Sequence, residues 1–442
     1  MPLFLLLLLV GGSQATHFLG TVMTYSPRST SDDGSLTVVV RYKMNFHLCG
    51  YSDRFSCFSG NCGTQIAFNL RLVYNESSGE WCQTEGITTL QVPSNAPFSV
   101  WLNSGNWIDN IVNGIVSWRA LTLVELRNRS DTGQANRSPQ TTILPALRVP
   151  SNCQRNFTLL AFDPDGDEVK CRYGNTSESE CNPCTPVSVL NLSSTCTLSF
   201  SPTNTSDEGP YAVQLVMEDF PRQTIGLTQT GGVQTIVTTS DAISKIPVQF
   251  VLRVDPAVPS CTEGLYLPRF LPPTPANRAQ LYTSVGQTLE ISIRAEANIS
   301  MISELLYSGP HNMVQITSGP GQFVLLWTPS GTEAGESHPI CFVVQAVHNS
   351  TKYHSELRCV VVSVGNNPSQ NITATAETPT TSPATAETTA ASPLIVLQMR
   401  VRVSSSFQLT EDYINTVLMR VKDVMVSYGL PQSITLTYVK TL

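Results

Sequence analysis

Two stretches of the chain, LSFSPTNTSDEGPYAVQLVMEDF at 198–220 and LLWTPSGTEAGESHPICFVVQAV at 325–347, follow the same pattern. Each has an aromatic residue, one further residue and a proline, and then a polar loop that contains an acidic residue and glycine. An apolar run follows each loop, and a second one comes later, IPVQFVLRV at 246–254 and ELRCVVVSV at 356–364. The recurrence indicates two structural modules that end in the same way.

The chain before these stretches is also predicted to be β-structure. The run LTVVVRYKMNF at 36–46 is rich in β-branched and aromatic residues, and similar short runs are separated by Gly, Pro, Asn and Asp. The run VSWRALTLVEL at 116–126 corresponds to the end of a first module. We therefore predict a mainly β fold of tandem β-sandwich modules, which occupy residues 16–135, 136–261 and 262–365.

The two ends of the chain differ from these modules. Residues 1–15, MPLFLLLLLVGGSQA, are an apolar run followed by small residues and are predicted to be a signal peptide. Residues 366–393 are rich in Thr, Ala, Pro and Ser, a composition that buries too little apolar surface to fold and predicts an extended mucin-like stalk. No later apolar run reaches the roughly 18 residues of a membrane-spanning helix. We expect a secreted protein, or an extracellular one whose anchor lies beyond Leu442.

The last segment, 394–442, is predicted to fold as a small α+β unit of the order β-α-β. Its central part, TEDYINTVLMRVKDVMVSYG at 410–429, begins with a threonine suited to the N-cap position and carries apolar residues at helical spacing. Gly429 and Pro431 predict the end of this helix. Alternating apolar residues on each side predict two strands. Two strands leave an open sheet edge, so we expect an oligomer or another partner at this unit.

All twelve cysteines follow the predicted signal peptide, and in an oxidising compartment this even number predicts disulfides. They form three groups: Cys49, Cys57, Cys62 and Cys82; Cys153, Cys171, Cys181, Cys184 and Cys196; and Cys261, Cys341 and Cys359. Because two groups have odd numbers, we predict that Cys261 pairs with a member of the middle group and Cys341 with Cys359. The CNPC spacing at 181–184 is also a redox or zinc spacing, but without a second pair it favours two structural disulfides.

Asn-x-Ser/Thr sequons recur along the chain and predict a glycosylated surface. Their asparagines are Asn75, Asn128, Asn136, Asn156, Asn175, Asn191, Asn204, Asn298, Asn349 and Asn371. Asn136 is the least suited of them, because Pro139 follows its serine. The net charge is −7 and only 13% of the residues are charged, so there is no basic field and nucleic acid is excluded as a partner.

Three further segments, NRSP at 136–139, LLAFDPDGDEVKCRY at 159–173 and GPYAVQLVMEDFP at 209–221, together resemble a cadherin-like repeat. They correspond to its Asn-x-x-Pro linker, to its strand with Asp-x-Asp and glycine, and to its closing strand. The resemblance implies a β-sandwich and the capacity to bind calcium. Residues 262–365 resemble an immunoglobulin-like sandwich, and residues 394–442 resemble part of a SEA module, the small domain common beside mucin stalks.

The acidic residues of the second module have two interpretations. Calcium takes six to eight oxygen ligands, and the candidate carboxylates are those of Asp163, Asp165, Asp167, Glu168, Asp219 and the adjacent Glu218. Alternatively, the sequence Pro164-Asp165-Gly166 is only a turn surrounded by solvated acids. The sequence leaves both interpretations open.

The segment VWLNSGNWIDN at 100–110 carries Trp101 and Trp107, which predict either a contact surface or ordinary core packing. The sequence contains no Gly-x-Ser-x-Gly, His-Glu-x-x-His or phosphate-loop motif, so we predict no enzymatic activity. We expect an adhesion or recognition glycoprotein that presents sandwich faces to an extracellular protein or glycan. An extracellular-matrix structural protein and a secreted enzyme with an unrecognised site are the alternatives.

Overall fold

The computed structural model describes residues 16–31 and 33–365, in which the regular secondary structure is almost entirely β-strand. The predicted mainly β fold is confirmed. Three short 3-10 helices, Thr176–Glu178, Thr205–Asp207 and Gly331–Glu333, also lie in this part. In the same residues no helix has the length and hydropathy needed to cross a membrane. The predicted signal peptide, stalk, β-α-β unit and Asn371 sequon lie outside the described residues.

Seventeen strands precede residue 256. They are β1 (Thr16–Thr30), β2 (Leu36–Phe46), β3 (Ser56–Ser59), β4 (Thr64–Asn75), β5 (Cys82–Val92), β6 (Phe98–Trp107), β7 (Ser117–Val124), β8 (Asn128–Arg129), β9 (Ala146–Pro150), β10 (Arg155–Thr158), β11 (Glu168–Tyr173), β12 (Leu190–Leu192), β13 (Thr197–Phe200), β14 (Gly209–Phe220), β15 (Ile225–Thr228), β16 (Gln234–Val237) and β17 (Lys245–Asp255). Eleven of them form one sheet in the order β11-β14-β17-β7-β6-β1-β2-β5-β4, with β3 on β6 and β9 on β17. Strands β10, β13 and β12 form a second sheet, and β16, β15 and β8 form a third.

The large sheet crosses the boundary predicted at 135/136. Strand β17 pairs along its length with β14, and it also pairs with β1 at Val22, with β7 at Leu123 and with β9. Gly20 of β1 has φ +113°, and a Cβ atom there would lie 2.1 Å from the carbonyl oxygen of Gln249 in β17, so only glycine permits this approach. The first two predicted modules therefore do not form separate sandwiches, because strands of the first complete their hydrogen bonding on a strand of the second.

The repeated sequence pattern corresponds to a repeated structure. In each copy a strand leads into a one-turn 3-10 helix, and a strand of twelve residues follows. Both helices begin with a capping box, formed by Asn204 with Asp207 and by Ser330 with Glu333. The small polar residue and the acid three positions later satisfy backbone N–H groups reciprocally, which explains why the polar loop recurs.

The third module, 262–365, is a sandwich of two sheets. Its strands are β18 (Arg269–Leu271), β19 (Ala279–Ser284), β20 (Leu289–Glu296), β21 (Met301–Ser308), β22 (Val314–Gly319), β23 (Gln322–Trp327), β24 (Ser337–His348), β25 (Thr351–His354) and β26 (Arg358–Gly365). One sheet has the order β18-β20-β23-β22, and the other has β19-β26-β24-β21 with β25 on β24. Trp327 lies between them with 1% of its surface exposed.

The third module packs back onto the first part of the chain through buried polar groups. The ammonium group of Lys43 contacts Glu85 at 3.0 Å and donates to the carbonyl oxygen of Gly309. The carboxylate of Glu304 accepts hydrogen bonds from the hydroxyl of Tyr74 at 2.5 Å and from Ser77. These contacts hold the third module against the first part of the chain, so the described residues do not form a string of independent domains.

Candidate functional site

A buried arginine, Arg129 of β8, lies at the centre of the predicted acidic site. Its side chain is completely buried and forms paired hydrogen bonds with the carboxylates of Asp131 and Asp167. It also donates to the amide oxygen of Asn136 at 2.7 Å. Bidentate pairing to two carboxylates uses the planar geometry of a guanidinium, which a lysine could not reproduce.

The loop before β11 supplies the carboxylates. The Oδ1 atom of Asp163 accepts hydrogen bonds from the backbone N–H groups of Asp165 and Asp167, and Gly166 adopts φ +87°, so the loop is the predicted turn. The same turn brings Asp163 and Asp167 to Asp219 at the end of β14, with one oxygen of each within 4.8 Å of the others. The stretch therefore turns the chain, but the aspartates around the turn are buried and not solvated as the turn interpretation predicts.

The predicted residues do not all join this cluster. The side chain of Glu168 is 57% exposed and its carboxylate pairs with Lys170, while Glu218 pairs with Arg172. Alternation along a strand explains this, because neighbouring residues of β11 and β14 point to opposite faces. Asp165 lies at the edge of the cluster and pairs with Arg137.

Asn136 connects the acids to the core. Its amide nitrogen donates to the carboxylate of Asp219 at 2.8 Å and to the hydroxyl of Tyr25 at 3.3 Å, and the residue is 0% exposed. A glycan is attached through this same nitrogen, which is buried and engaged in the folded chain. The prediction of glycosylation at Asn136 is therefore incompatible with the folded structure.

Burial changes the acidity of two carboxyl groups. Burial, together with the negative charges of Asp219, Asp167 and Asp165, raises the pKa of Asp163 to about 8. Burial also raises the pKa of Asp219 to about 7, although the hydrogen bonds from Asn136 and Ser244 act in the opposite direction. Near neutral pH the cluster therefore retains protons as well as the positive charge of its arginine.

The arrangement does not fit a calcium ion. Three carboxylates converge closely, but both oxygens of Asp165, Asp167 and Asp219 accept hydrogen bonds from protein donors. Among the converging carboxylates, only Asp163 has a buried oxygen without a partner. Calcium requires six to eight oxygens, and the guanidinium of Arg129 already supplies positive charge where the acids meet.

Replacing Asp163 with asparagine is expected to stabilise the protein at pH 8. Folding raises the pKa of the Asp163 carboxyl group, so its protonated form stabilises the folded state. This stabilisation is complete below the ordinary pKa of 3.8 and is lost as the pH rises towards 8. Asparagine keeps the Oδ1 acceptor and places a neutral donor beside Asp219. We expect a gain of about 2 kcal/mol in the free energy of unfolding at pH 8 and a flatter dependence between pH 4 and 8, measured by urea denaturation.

The control for this variant is Glu168→Gln, which removes an exposed carboxylate next to the cluster and should change stability by less than about 0.5 kcal/mol. Loss of stability in Asp163→Asn at pH 8, or an unchanged pH slope, would contradict the assignment of a raised pKa to Asp163.

Six disulfides join all twelve cysteines: Cys49–Cys82, Cys57–Cys62, Cys153–Cys261, Cys171–Cys196, Cys181–Cys184 and Cys341–Cys359. Cys261 is thus bonded to the middle group. Cys181 and Cys184, expected to belong to two separate disulfides, are instead bonded to each other. Once Cys153, Cys171 and Cys196 have their partners, these two remain, with Cα atoms 5.1 Å apart, an ordinary separation for a disulfide.

The other described sequons lie on the surface. Their asparagines are all exposed, at Asn75, Asn128, Asn156, Asn175, Asn191, Asn204, Asn298 and Asn349. Between residues 16 and 127 the sequence has one sequon, at Asn75, so residues 16–74 and 76–127 carry no attachment site for an N-linked glycan. This leaves a part of the N-terminal region free for contact.

An aromatic patch lies in that region. Phe58, in the loop closed by the Cys57–Cys62 disulfide, is 42% exposed, and its ring centre lies 4.5 Å from that of half-buried Trp101. The guanidinium of Arg119 lies 5.3 Å from the Trp101 ring centre. We call Phe58, Trp101 and Arg119 the aromatic patch. Sequence analysis did not identify Phe58, because its exposure depends on how the small disulfide loop lies on β6.

Trp107 is not part of this surface. It is 1% exposed and packs against Phe18 with ring centres 4.9 Å apart. Regular alternation would place Trp107 on the same face as Trp101, six residues earlier, but the register shift between Ser104 and Asn106 turns it to the core side. Of the two predicted tryptophans, Trp101 alone reaches the patch, and the contact-surface prediction for Trp107 is wrong.

Comparison with known proteins assigns no family to the chain. No protein-family model matches the chain, and no curated protein matches it. Among solved structures, tandem Ig repeats of Dlar match at 12% identity and a TM-score of 0.20, covering 52% of this chain and 96% of that one. Human protocadherin-24 EC1-2 matches at 12% identity and a TM-score of 0.17, and the match covers 52% of this chain and 99% of that one. The N-terminal eight Ig domains of Down syndrome cell adhesion molecule match at 12% identity and a TM-score of 0.16, and the match covers 78% of this chain and 37% of that one.

Proposed function

We propose that the protein is an extracellular adhesion or recognition glycoprotein that binds its partner through the aromatic patch, without catalysis. The observation that carries the proposal is the exposure of Phe58 beside Trp101, which belong to two segments, 16–74 and 76–127, without a sequon. Large aromatic side chains and arginine contribute most of the energy of typical recognition surfaces. Six disulfides and eight exposed sequons support an oxidising, glycosylating compartment, and hence secretion.

The patch is rigid, which favours binding. The disulfide between Cys57 and Cys62 closes the loop that carries Phe58. Gly60 adopts φ +75°, and a Cβ atom there would lie 2.9 Å from the carbonyl oxygen of Pro97, so the loop lies directly against the start of β6. A loop that is already ordered loses little conformational entropy when it binds a partner.

Phe58→Ser is expected to weaken binding of the full-length protein to its target cells by at least about tenfold, because it removes an exposed aromatic contact. Binding is measured by titrating fluorescently labelled protein on cells selected for uptake of the wild type. The matched control is Tyr282→Ser, which removes an aromatic side chain 73% exposed on β19 of the third module. Equal binding by wild type and Phe58→Ser, or equal losses in both variants, would overturn the proposal.

A further inference from the structure

The aromatic patch continues into a second arginine–aromatic pair. The guanidinium of Arg54 lies 4.0 Å from the ring centre of Phe68 on β4. Two residues after Arg54, Ser56 pairs with Trp101 across β3 and β6. Arg54, Phe58, Phe68, Trp101 and Arg119 therefore lie along one connected stretch of surface, which we call the arginine–aromatic strip.

The two arginines of the strip lack carboxylate partners. Neither Arg54 nor Arg119 forms an ion pair with any residue that the structure describes, and the side chain of Arg119 donates only to the amide of Asn103. Arginines elsewhere, such as Arg148, are paired with acids. Both guanidinium groups of the strip are therefore available to an anionic ligand.

The unpaired arginines and aromatic rings of the strip indicate which class of ligand it binds. A guanidinium stacked on an aromatic ring keeps its edge N–H groups free, and these match a carboxylate or sulfate in a bidentate way. The exposed ring of Phe58 and the half-buried ring of Trp101 offer apolar surface beside those charges. A ligand that satisfies both carries anionic groups next to flat C–H surfaces, as the pyranose rings of acidic sugars do.

The shape of the strip favours a sugar over a peptide. The residues of the strip line neither the cavity beside Arg172 nor the one beside Lys43. Dominant protein–protein contacts insert side chains into well-packed pockets, whereas a row of rings outside these cavities suits stacked sugar faces. From Arg54 to Phe58 an extended chain covers roughly 13 Å, which exceeds a single ring.

We infer that the arginine–aromatic strip binds an oligosaccharide that carries carboxylate or sulfate groups. The inference rests on the proposed function, since it names the ligand of the same surface. Arg54 and Arg119 hold the anionic groups, and Phe58 and Trp101 stack against the sugar rings. An acidic peptide is the competing ligand, and the experiment below separates the two.

The test uses the full-length protein on immobilised sialyl-lactose, hyaluronan oligosaccharides and heparin fragments, with lactose as the neutral counterpart of the first. We expect binding to at least one anionic glycan, at least tenfold weaker binding to lactose, and weakening by added salt. Arg54→Gln and Arg119→Gln are each expected to lose at least about tenfold in affinity. The control Arg294→Gln removes an exposed arginine of β20 that forms no ion pair with another described residue, and it should bind like the wild type. Comparison of binding among these glycans distinguishes carboxylated from sulfated sugars.

Equal binding to neutral and anionic sugars, or unchanged affinity in both strip variants, would overturn the inference. Binding to cells treated with sialidase, hyaluronidase or heparinase tests this inference separately from the proposed function. If the wild type still binds treated cells and Phe58→Ser does not, the partner is a protein and only the sugar assignment fails. If Phe58→Ser binds cells as well as the wild type, the patch has no recognition role and both proposals fail.

Discussion

Replacing Arg129 with methionine is expected to lower the free energy of unfolding by about 3–5 kcal/mol, because it leaves a group of buried carboxylates without their cation. The wild-type side chain is completely buried and pairs with both Asp131 and Asp167. Methionine fills part of the same volume but donates no hydrogen bonds. The oxygens of Asp167 and the amide oxygen of Asn136 would then lose their donors in a site that water does not reach.

The matched control is Arg137→Met, which removes a neighbouring arginine whose side chain is 36% exposed and pairs with Asp165. Asp165 is buried, but it keeps the backbone N–H of residue 137 as a donor and Arg129 at 3.8 Å, so this loss should be on the order of 1 kcal/mol. Both variants are measured by denaturant unfolding at pH 7, with excess calcium and with a chelator. Wild-type stability should be the same in both solutions. A calcium-dependent wild type, or equal losses in the two variants, would contradict the role assigned to Arg129.

Removing the Cys153–Cys261 disulfide, by changing both cysteines to alanine, is expected to cost about 4–5 kcal/mol. The bond joins residues 108 apart in sequence, and the chain-entropy model gives long loops the largest stabilisation. It also fixes a small cluster in which Cys153 packs near Val258, Leu267 and Tyr353. The disulfide therefore constrains the whole middle segment and its link to the third module.

The matched variant removes Cys181 and Cys184 together. These cysteines are only three residues apart, and the same model gives a loop of this size about 2 kcal/mol. Guanidinium chloride unfolding followed by tryptophan fluorescence measures both losses. A smaller loss for the long loop than for the short one would show that enthalpy and residual structure in the unfolded chain outweigh the entropy of loop closure.

Local patterns in the sequence predicted local structure well. The polar loops at 203–208 and 329–334 fold as capped turns because capping depends on residues three positions apart, and such spacing is readable in any sequence. The counts of cysteines in each group led to the bond between Cys261 and the middle group, because an odd group requires an outside partner.

Long-range register could not be predicted in the same way. The acids at 163 and 167 were identified from sequence, but Arg129 was missed, since a two-residue strand in a polar loop gives no periodic signal of burial. Its position depends on the pairing of β8 with β15, which places it under the turn. Trp107 and Trp101 looked equivalent in sequence, and only the pairing of β6 with its neighbours decides which one faces solvent.

Strand β17 also limits how this protein can have evolved. Hydrogen bonds from residues 16–135 and from residues 136–261 meet on this one strand. A domain that recombination copies into another gene can fold there only if the copied segment contains all the strands of its sheet. A segment cut at the middle of this region would leave an unpaired edge in both products, so residues 16–255 can be duplicated or transferred only as a whole.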